Sequence, residues 1–364
     1  MATTVDVRLG DRSYPIWIGR GLLGSLGSLC RERGLTGHAL LVTDSGIAPL
    51  YGEAAADSLA AAGIASAAAV VPAGEASKTH DRLLELYRAA VEAGLDRSSF
   101  VVALGGGVVG DLAGFMAATY LRGVRYVQVP TSLLAMVDSS VGGKTGVDLP
   151  WGKNLVGAFH QPSLVVVDLD TLPTLPAAEF RSGMAEVVKY GLIRDASLFG
   201  TIERLGPAAL DPAGATFEEV VAACCRHKAE VVAADEREGG LRATLNFGHT
   251  LGHALEAATG FARWRHGEAV AIGMAYAARL SVRLTGLPPA DHDRILSVLR
   301  GLGLPTTSAV ADLCWSEVAA AMARDKKAAG RVPRFVLLER IGSARYGIEV
   351  PAEVLKEAWD ALRQ

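Results

Sequence analysis

The segment LNFGHTLGHALE, residues 245–256, places His249 and His253 four residues apart in a run of helical character. About one helical turn separates them, so both imidazoles project from one face. Thr250, not a glutamate, follows the first histidine, so the zincin protease pattern is absent. In SGMAEVVKYGLI, Glu186 and Lys189 share one face of a helix rich in Met, Val and Leu. Alone, that pair reads as an intrahelical ion pair. Beside two helical histidines and His266 of RHGEAV, it reads as part of a site for Zn²⁺ or a similar ion, with positions left open for substrate. His266 also fits as a cap at a helix start, and spacing alone leaves open which of His249, His253 and His266 bind. A third anomaly lies in VVAACCRHKAEVVAADE. There Lys228 sits within an apolar stripe of Val221, Cys224, Cys225, Val232 and Ala233. A buried lysine is expected to meet an anion, unless its stem alone is buried and the ammonium reaches water.

The stretch VVALGGGVVGDLAGF reads as strand, glycine turn and helix, with Gly105, Gly107 and Gly110 in a G-x-G-x-x-G pattern. Such a turn lets backbone N–H groups approach a pyrophosphate at a helix N-terminus. The following strand ends in Thr131 and Ser132, not in an acidic residue, so the expectation is dinucleotide binding in a non-Rossmann manner. Asp44 closes an early strand and is placed to hold a ribose; Glu75 and Lys78 follow another strand end. Each loop alone reads as a solvated turn, but loops at strand carboxyl ends converge in open α/β sheets. The segment 139–154 is no P-loop, because Asp138 stands where a glycine is required. It reads as a loop of roughly 16 residues, long enough to be functional, presenting Asp138, Lys144, Lys153 and Asn154. Arg122, Lys144, Lys153, Lys189, Lys228, Arg242 and the pair Lys326–Lys327 would, if they converge, select an anionic substrate such as a phosphate ester with a carboxylate.

The elements that must position these residues alternate in the first half. Strands at 38–44, 66–73, 98–107, 125–130 and 164–169 enclose helices such as 81–94 and 111–123, the pattern of a doubly wound, mostly parallel α/β sheet. The opening residues form a hairpin at its edge. Two prolines at 173 and 176 mark a boundary near 175. Beyond it the pattern turns helical at 181–204, 217–237, 245–260, 267–285, 291–302, 316–324 and 351–363, with one late strand pair. Residues 1–175 and 176–364 are thus expected to form two domains. The net charge of −3 excludes a general case for nucleic acid or an anionic membrane. No apolar run is long enough to span a bilayer, no secretory leader is visible, and Cys30, Cys224, Cys225 and Cys314 suit a reducing cytoplasm.

The blocks GGGVVGDLAGFMAATYLRGV, VPTSLLAMVDSSVGGKTGVD, GKNLVGAFHQP, GMAEVVKYGLI, LNFGHTLGHALE and HGEAVAIGM resemble the 3-dehydroquinate synthase family from about residue 10 to the end. The resemblance implies an N-terminal NAD-binding domain and an α-rich metal and substrate domain. One Zn²⁺ or Co²⁺ per chain would be held by Glu186, His249 and His266, with His253 facing substrate. NAD would lie against Asp44, Gly74, Glu75, Lys78, Gly107, Val108, Val109, Gly110, Asp111, Thr131, Ser132, Lys144, Lys153, Thr171, Leu172, Pro173 and Thr174. Substrate would meet Arg122, Asp138, Lys144, Asn154, Lys189, Lys228, Arg242, Asn246, His253 and one of Lys326 or Lys327. Of these, Lys228, Arg242, Asn246 and His253 distinguish the family from other sugar-phosphate cyclases.

The implied reaction converts 3-deoxy-D-arabino-heptulosonate 7-phosphate to 3-dehydroquinate and phosphate. It runs through transient oxidation at C5, β-elimination of phosphate, re-reduction, ring opening and aldol closure, with domain closure on substrate and a homodimeric assembly. Rival readings are a cyclase acting on sedoheptulose 7-phosphate, a glycerol-dehydrogenase-like oxidoreductase and a non-catalytic NAD-binding module.

Overall fold

The computed structural model describes residues 2–307, 309–325 and 333–364. They form two compact units, one of residues 2–175 with 221–233, the other of 176–220 with the described residues from 234 onward. The first unit runs β1 (Thr3–Val7), β2 (Tyr14–Gly19), α1 (Leu26–Glu32), β3 (Ala39–Asp44), α2 (Glu53–Ala61), β4 (Ser66–Val71), α3 (His80–Glu92), β5 (Phe100–Gly105), α4 (Gly107–Thr119), β6 (Arg125–Pro130), β7 (Lys144–Leu149), β8 (Gly152–Phe159) and β9 (Leu164–Asp168). Its main sheet has the order β1-β2-β9-β6-β5-β3-β4. Only the β1–β2 edge pair is antiparallel; every other pairing in that sheet is parallel. A parallel sheet buries both faces, which explains the continuous apolar runs of β5 and β9. Alternate residues serve opposite faces: Leu40, Val42, Val101 and Ala103 join one core, Leu41, Val102, Leu104 and Val127 the other.

β4 lies outside β3, and β5 returns to the other side of β3. The strand order therefore reverses between β3 and β5, the position where open α/β sheets bind ligands. All the loops that follow β3, β4, β5, β6 and β9 leave the same carboxyl edge.

Residues 139–154, expected as a loop, are largely the start of a β7–β8 hairpin in which Gly146 pairs with Gly157. A Cβ on Gly146 would stand 2.6 Å from the Val156 carbonyl oxygen. The glycines that permit this close pairing also hide the alternation of a strand.

The second unit contains α5 (Ala177–Ile193), α6 (Ala196–Leu205), α7 (Phe217–Ala234), α8 (His249–Ala258), α9 (His266–Leu284), α10 (Pro289–Gly301), α11 (Trp315–Asp325), β10 (Arg334–Arg340), β11 (Ser343–Glu349) and α12 (Ala352–Leu362). The single helix expected at 181–204 is two, because the Asp195 carboxylate accepts from Ser197 and Leu198 N–H, both at 3.0 Å, and starts a new helix. The central turns of α7, residues 221–233, pack with the first unit rather than the second. Lys228 reaches Asp138, and the Cys225 thiol lies 3.4 Å from the Met136 carbonyl oxygen. The apolar stripe of α7 ends at Val232, since Ala233 is exposed.

Asp168, buried at the end of β9, ties the sheet to the residues after β2. Its carboxylate accepts from Gly21 N–H at 3.0 Å, Leu23 N–H at 2.7 Å and Asp170 N–H at 3.0 Å. Asp168→Ala should cost about 2–3 kcal/mol by stranding a buried donor, read as a lower urea midpoint at unchanged slope; an unchanged midpoint would refute the anchoring role.

Candidate functional site

At the carboxyl edge of the first unit, the Asp44 Oδ1 atom accepts from Gly46 N–H at 2.8 Å and Ile47 N–H at 3.1 Å, which folds the loop after β3. β3 adjoins β5, so Asp44 stands next to the glycine turn although it precedes it by some sixty residues. An acidic residue thus lies at the end of the neighbouring earlier strand, across the reversal of strand order. Gly106 and Gly107 open α4, whose N-terminus has no side-chain cap. Gly110 serves packing: a Cβ there would lie 2.8 Å from Gln128 Oε1. The side chains of Val109, Thr131, Thr171 and Leu172 are buried, so these residues can offer a ligand mainly backbone. Thr131 N–H donates to Gly105 O at 2.9 Å, Ser132 Oγ accepts from Ala135 N–H at 3.3 Å, and Thr174 Oγ1 lies 2.7 Å from the Tyr51 hydroxyl.

Three lysines of this unit, Lys78, Lys153 and Lys228, are matched by carboxylates. Lys78 Nζ donates to Asp111 Oδ2 and to Asn154 Oδ1, each at 2.5 Å. Asn154 N–H donates to Asp148 at 2.8 Å, Asp148 N–H to Lys78 O at 2.7 Å, and Lys153 pairs with Glu75 at 3.1 Å. Burial lowers the Lys78 pKa, but Asp111, Glu75 and Asp148 outweigh it and hold the ammonium above its ordinary value. Burial raises the Asp111 carboxyl against the opposing pull of Lys78. Lys228 Nζ donates to the Asp138 carbonyl at 2.6 Å and carboxylate at 2.7 Å, so the anion expected on the apolar face of α7 is Asp138. Lys144 is exposed. Arg122 and Asn154 both hold left-handed backbone, φ 67° and 56°, as does Leu121 at 50°. Strain of this kind concentrates at functional positions.

The second unit gathers Glu186, His249 and His266. Glu186 Oε1 lies 3.5 Å from His249 Nε2 and 3.7 Å from His266 Nε2, while Oε2 pairs with Lys189. Glycines allow the three helices to approach. A Cβ on Gly267 would overlap the Ser182 carbonyl of α5, and one on Gly273 would overlap the Gly248 carbonyl at the start of α8. The first turn of α9 is strapped to α5 by Gly267 N–H to Ser182 Oγ at 3.0 Å and Arg265 to Glu179 at 2.7 Å.

The donors fit a divalent ion. Ligands about 2.0–2.1 Å from a tetrahedral zinc stand about 3.3 Å apart, close to the spacings found. Glu186 Oε1 is buried and accepts no hydrogen bond from the described residues. Burial first, then the ammonium of Lys189, push the His249 pKa well below its ordinary value. That shift favours the neutral form, the form a metal ligand takes. Glu186, His249 and His266 form one donor group; His253 groups instead with Glu256 and His266. Of the two helical histidines, His249 is the one that shares an approach to Glu186.

Arg242 is fully buried, its guanidinium donating to Glu236 O at 2.5 Å and its N–H to Asp235 at 2.9 Å. Asn246 lies 3.5 Å from Glu238 Oε1. Lys326 and Lys327 lie outside the described residues. Sequence reasoning passed over Asp148, Asp235 and Glu256. Only Glu256 carried a clear signal, since it follows His249 and His253 on one helical face.

Solved structures of two cyclases, among others, resemble nearly the whole chain. 2-epi-5-epi-valiolone synthase from Streptomyces hygroscopicus, with NAD⁺ and Zn²⁺ bound, is 31% identical, covers 98% of each chain and superposes with a TM-score of 0.88. 2-deoxy-scyllo-inosose synthase, complexed with carbaglucose-6-phosphate, NAD⁺ and Co²⁺, is 27% identical, covers 99% of each chain and has a TM-score of 0.87. The fold and this likeness define the class, that of the sugar-phosphate cyclases. Within it the chain belongs to the 3-dehydroquinate synthase family, whose N-terminal and C-terminal profiles match residues 68–182 and 183–328. The 3-dehydroquinate synthase of Symbiobacterium thermophilum is 54% identical over 361 residues, 98% of this chain and 100% of that one.

Gly273→Ala should destabilise the protein by about 1–3 kcal/mol through overpacking and weaken zinc binding in a chelator competition. Gly301→Ala, where a Cβ meets nothing within 4 Å, serves as the control and should leave both unchanged or slightly improved. Equal behaviour of the two variants would refute the close-packing account.

Proposed function

We propose that the chain catalyses the conversion of 3-deoxy-D-arabino-heptulosonate 7-phosphate to 3-dehydroquinate and phosphate, as a lyase using NAD and one Zn²⁺ or Co²⁺. The observation that carries this is the buried Glu186 oxygen facing two histidine nitrogens, in a chain of this family. When bound, NAD supplies a reversible hydride acceptor and the divalent ion polarises substrate oxygens. Glu186, His249 and His266 would hold the ion. Asp44, the 74–78 loop, the 107–111 turn, Thr131, Ser132, Lys144, Lys153 and the 171–174 segment would hold the dinucleotide. His253 stands beside the ligand histidines, with its ring centroid 5.2 Å from that of His249, and would hold or move a proton on substrate. Arg122, Lys144, Asn154, Lys189, Lys228, Arg242 and Asn246, with Asp138 and one of Lys326 or Lys327, would bind the phosphate, carboxylate and hydroxyl groups. The buried cations suit that work because an anion meets them in little water. We take the protein to act in the cytoplasm, a reading supported by its free cysteines, and as the homodimer that the family resemblance implies, which sedimentation tests.

The test follows phosphate release with NAD⁺ well below stoichiometry and zinc present, with product identity and NADH absorbance recorded together. Many turnovers giving 3-dehydroquinate without NADH accumulation are expected. Release only from sedoheptulose 7-phosphate, or steady NADH accumulation, would overturn the assignment in favour of another cyclase or of a dehydrogenase. Arg242→Met should lower kcat/KM about 100-fold or more on the carboxylate-bearing substrate; a change under threefold would remove Arg242 from the site.

A further inference from the structure

We infer that Glu256 is a positioning residue for the metal ligand His266, fixing its ring and placing its proton on Nδ1; this rests on the metal reading above. His249, His253 and Glu256 occupy one face of α8, at helical spacings of four and three. Each ligand histidine turns Nε2 toward Glu186 and so must keep its proton on Nδ1, which needs an acceptor. For His249 the acceptor is the Phe247 carbonyl, 3.2 Å from Nδ1. For His266 the corresponding atom is Glu256 Oε1, at 3.5 Å.

The two rings differ in how much else holds them. The His249 side chain is 10% exposed and wedged in the core, whereas that of His266 is 35% exposed and opens the first turn of α9. Packing fixes the first, so the second depends more on its polar partner. Glu256, only 10% exposed in its side chain, is held at the right edge of the ring by the rigid α8. A carboxylate acceptor also makes the imidazole a stronger donor to the ion than a carbonyl does. A rival arrangement, with Glu256, His253 and His266 as ligands of a second ion, would require His266 to surrender both ring protons.

The test is a zinc titration of metal-free protein by chelator competition, with the visible spectrum of the Co²⁺ form recorded alongside. Wild type should bind one equivalent. Glu256→Ala should weaken it about 10- to 100-fold and alter the Co²⁺ bands. Glu256→Gln, whose amide oxygen still accepts from Nδ1, should lie between. Melting of the metal-free variants shows whether they are folded. A Glu256→Ala affinity within twofold of wild type would overturn the inference. So would a second equivalent in wild type that Glu256→Ala loses while the first stays tight. Absence of tight binding in wild type and in Glu186→Ala alike would overturn the metal reading itself, and the inference with it.

Discussion

Removing an ionised carboxylate from water costs several kcal/mol unless charge and hydrogen bonds replace the water. Glu186 is completely buried, and much of the second unit can be understood as the answer to that cost. Lys189, one turn along α5, neutralises one oxygen. The other faces two imidazoles, of which His249 is pushed toward its neutral form by burial and by Lys189. Bringing those rings so close needs helix backbones nearer together than side chains allow, hence the glycines at 267 and 273. The donor set is thus a consequence of helix spacing as much as of residue type.

The first unit solves a related problem with pairs. Lys78 with Asp111 and Lys228 with Asp138 are cation–carboxylate contacts of mostly buried side chains. An anionic ligand bound there, as proposed, would meet cations already held in place, and little side-chain entropy would be lost. Lys78 and Asn154 also join the β7–β8 hairpin to the loop after β4. The polar residues of that hairpin are therefore tied to the carboxyl edge of the sheet, and not merely carried on a surface turn.

Local signals made much of this legible. The glycine turn between β5 and α4, and the charged residues on the apolar faces of α5 and α7, follow from periodicity alone. What depended on distant pairing did not. That Asp44 stands beside the glycine turn follows from β3 adjoining β5, which no local pattern specifies. The β7–β8 hairpin was hidden by its glycines, and the break before α6 by one capping aspartate. The packing of residues 221–233 with the first unit depends on Met136 and Asp138, some ninety residues away. The choice between His249 and His253 was closed to spacing, because both lie on one face of α8 and only the position of α5 separates them.

The donors Glu186, His249 and His266 all belong to one compact unit, while the sheet edge with its glycine turn belongs to the other. Whatever each site binds reinforces its own unit in proportion to the logarithm of ligand concentration. With the sites filled as proposed, loss of the metal would be felt first where α5, α8 and α9 meet, and loss of the dinucleotide first at the carboxyl edge of the sheet.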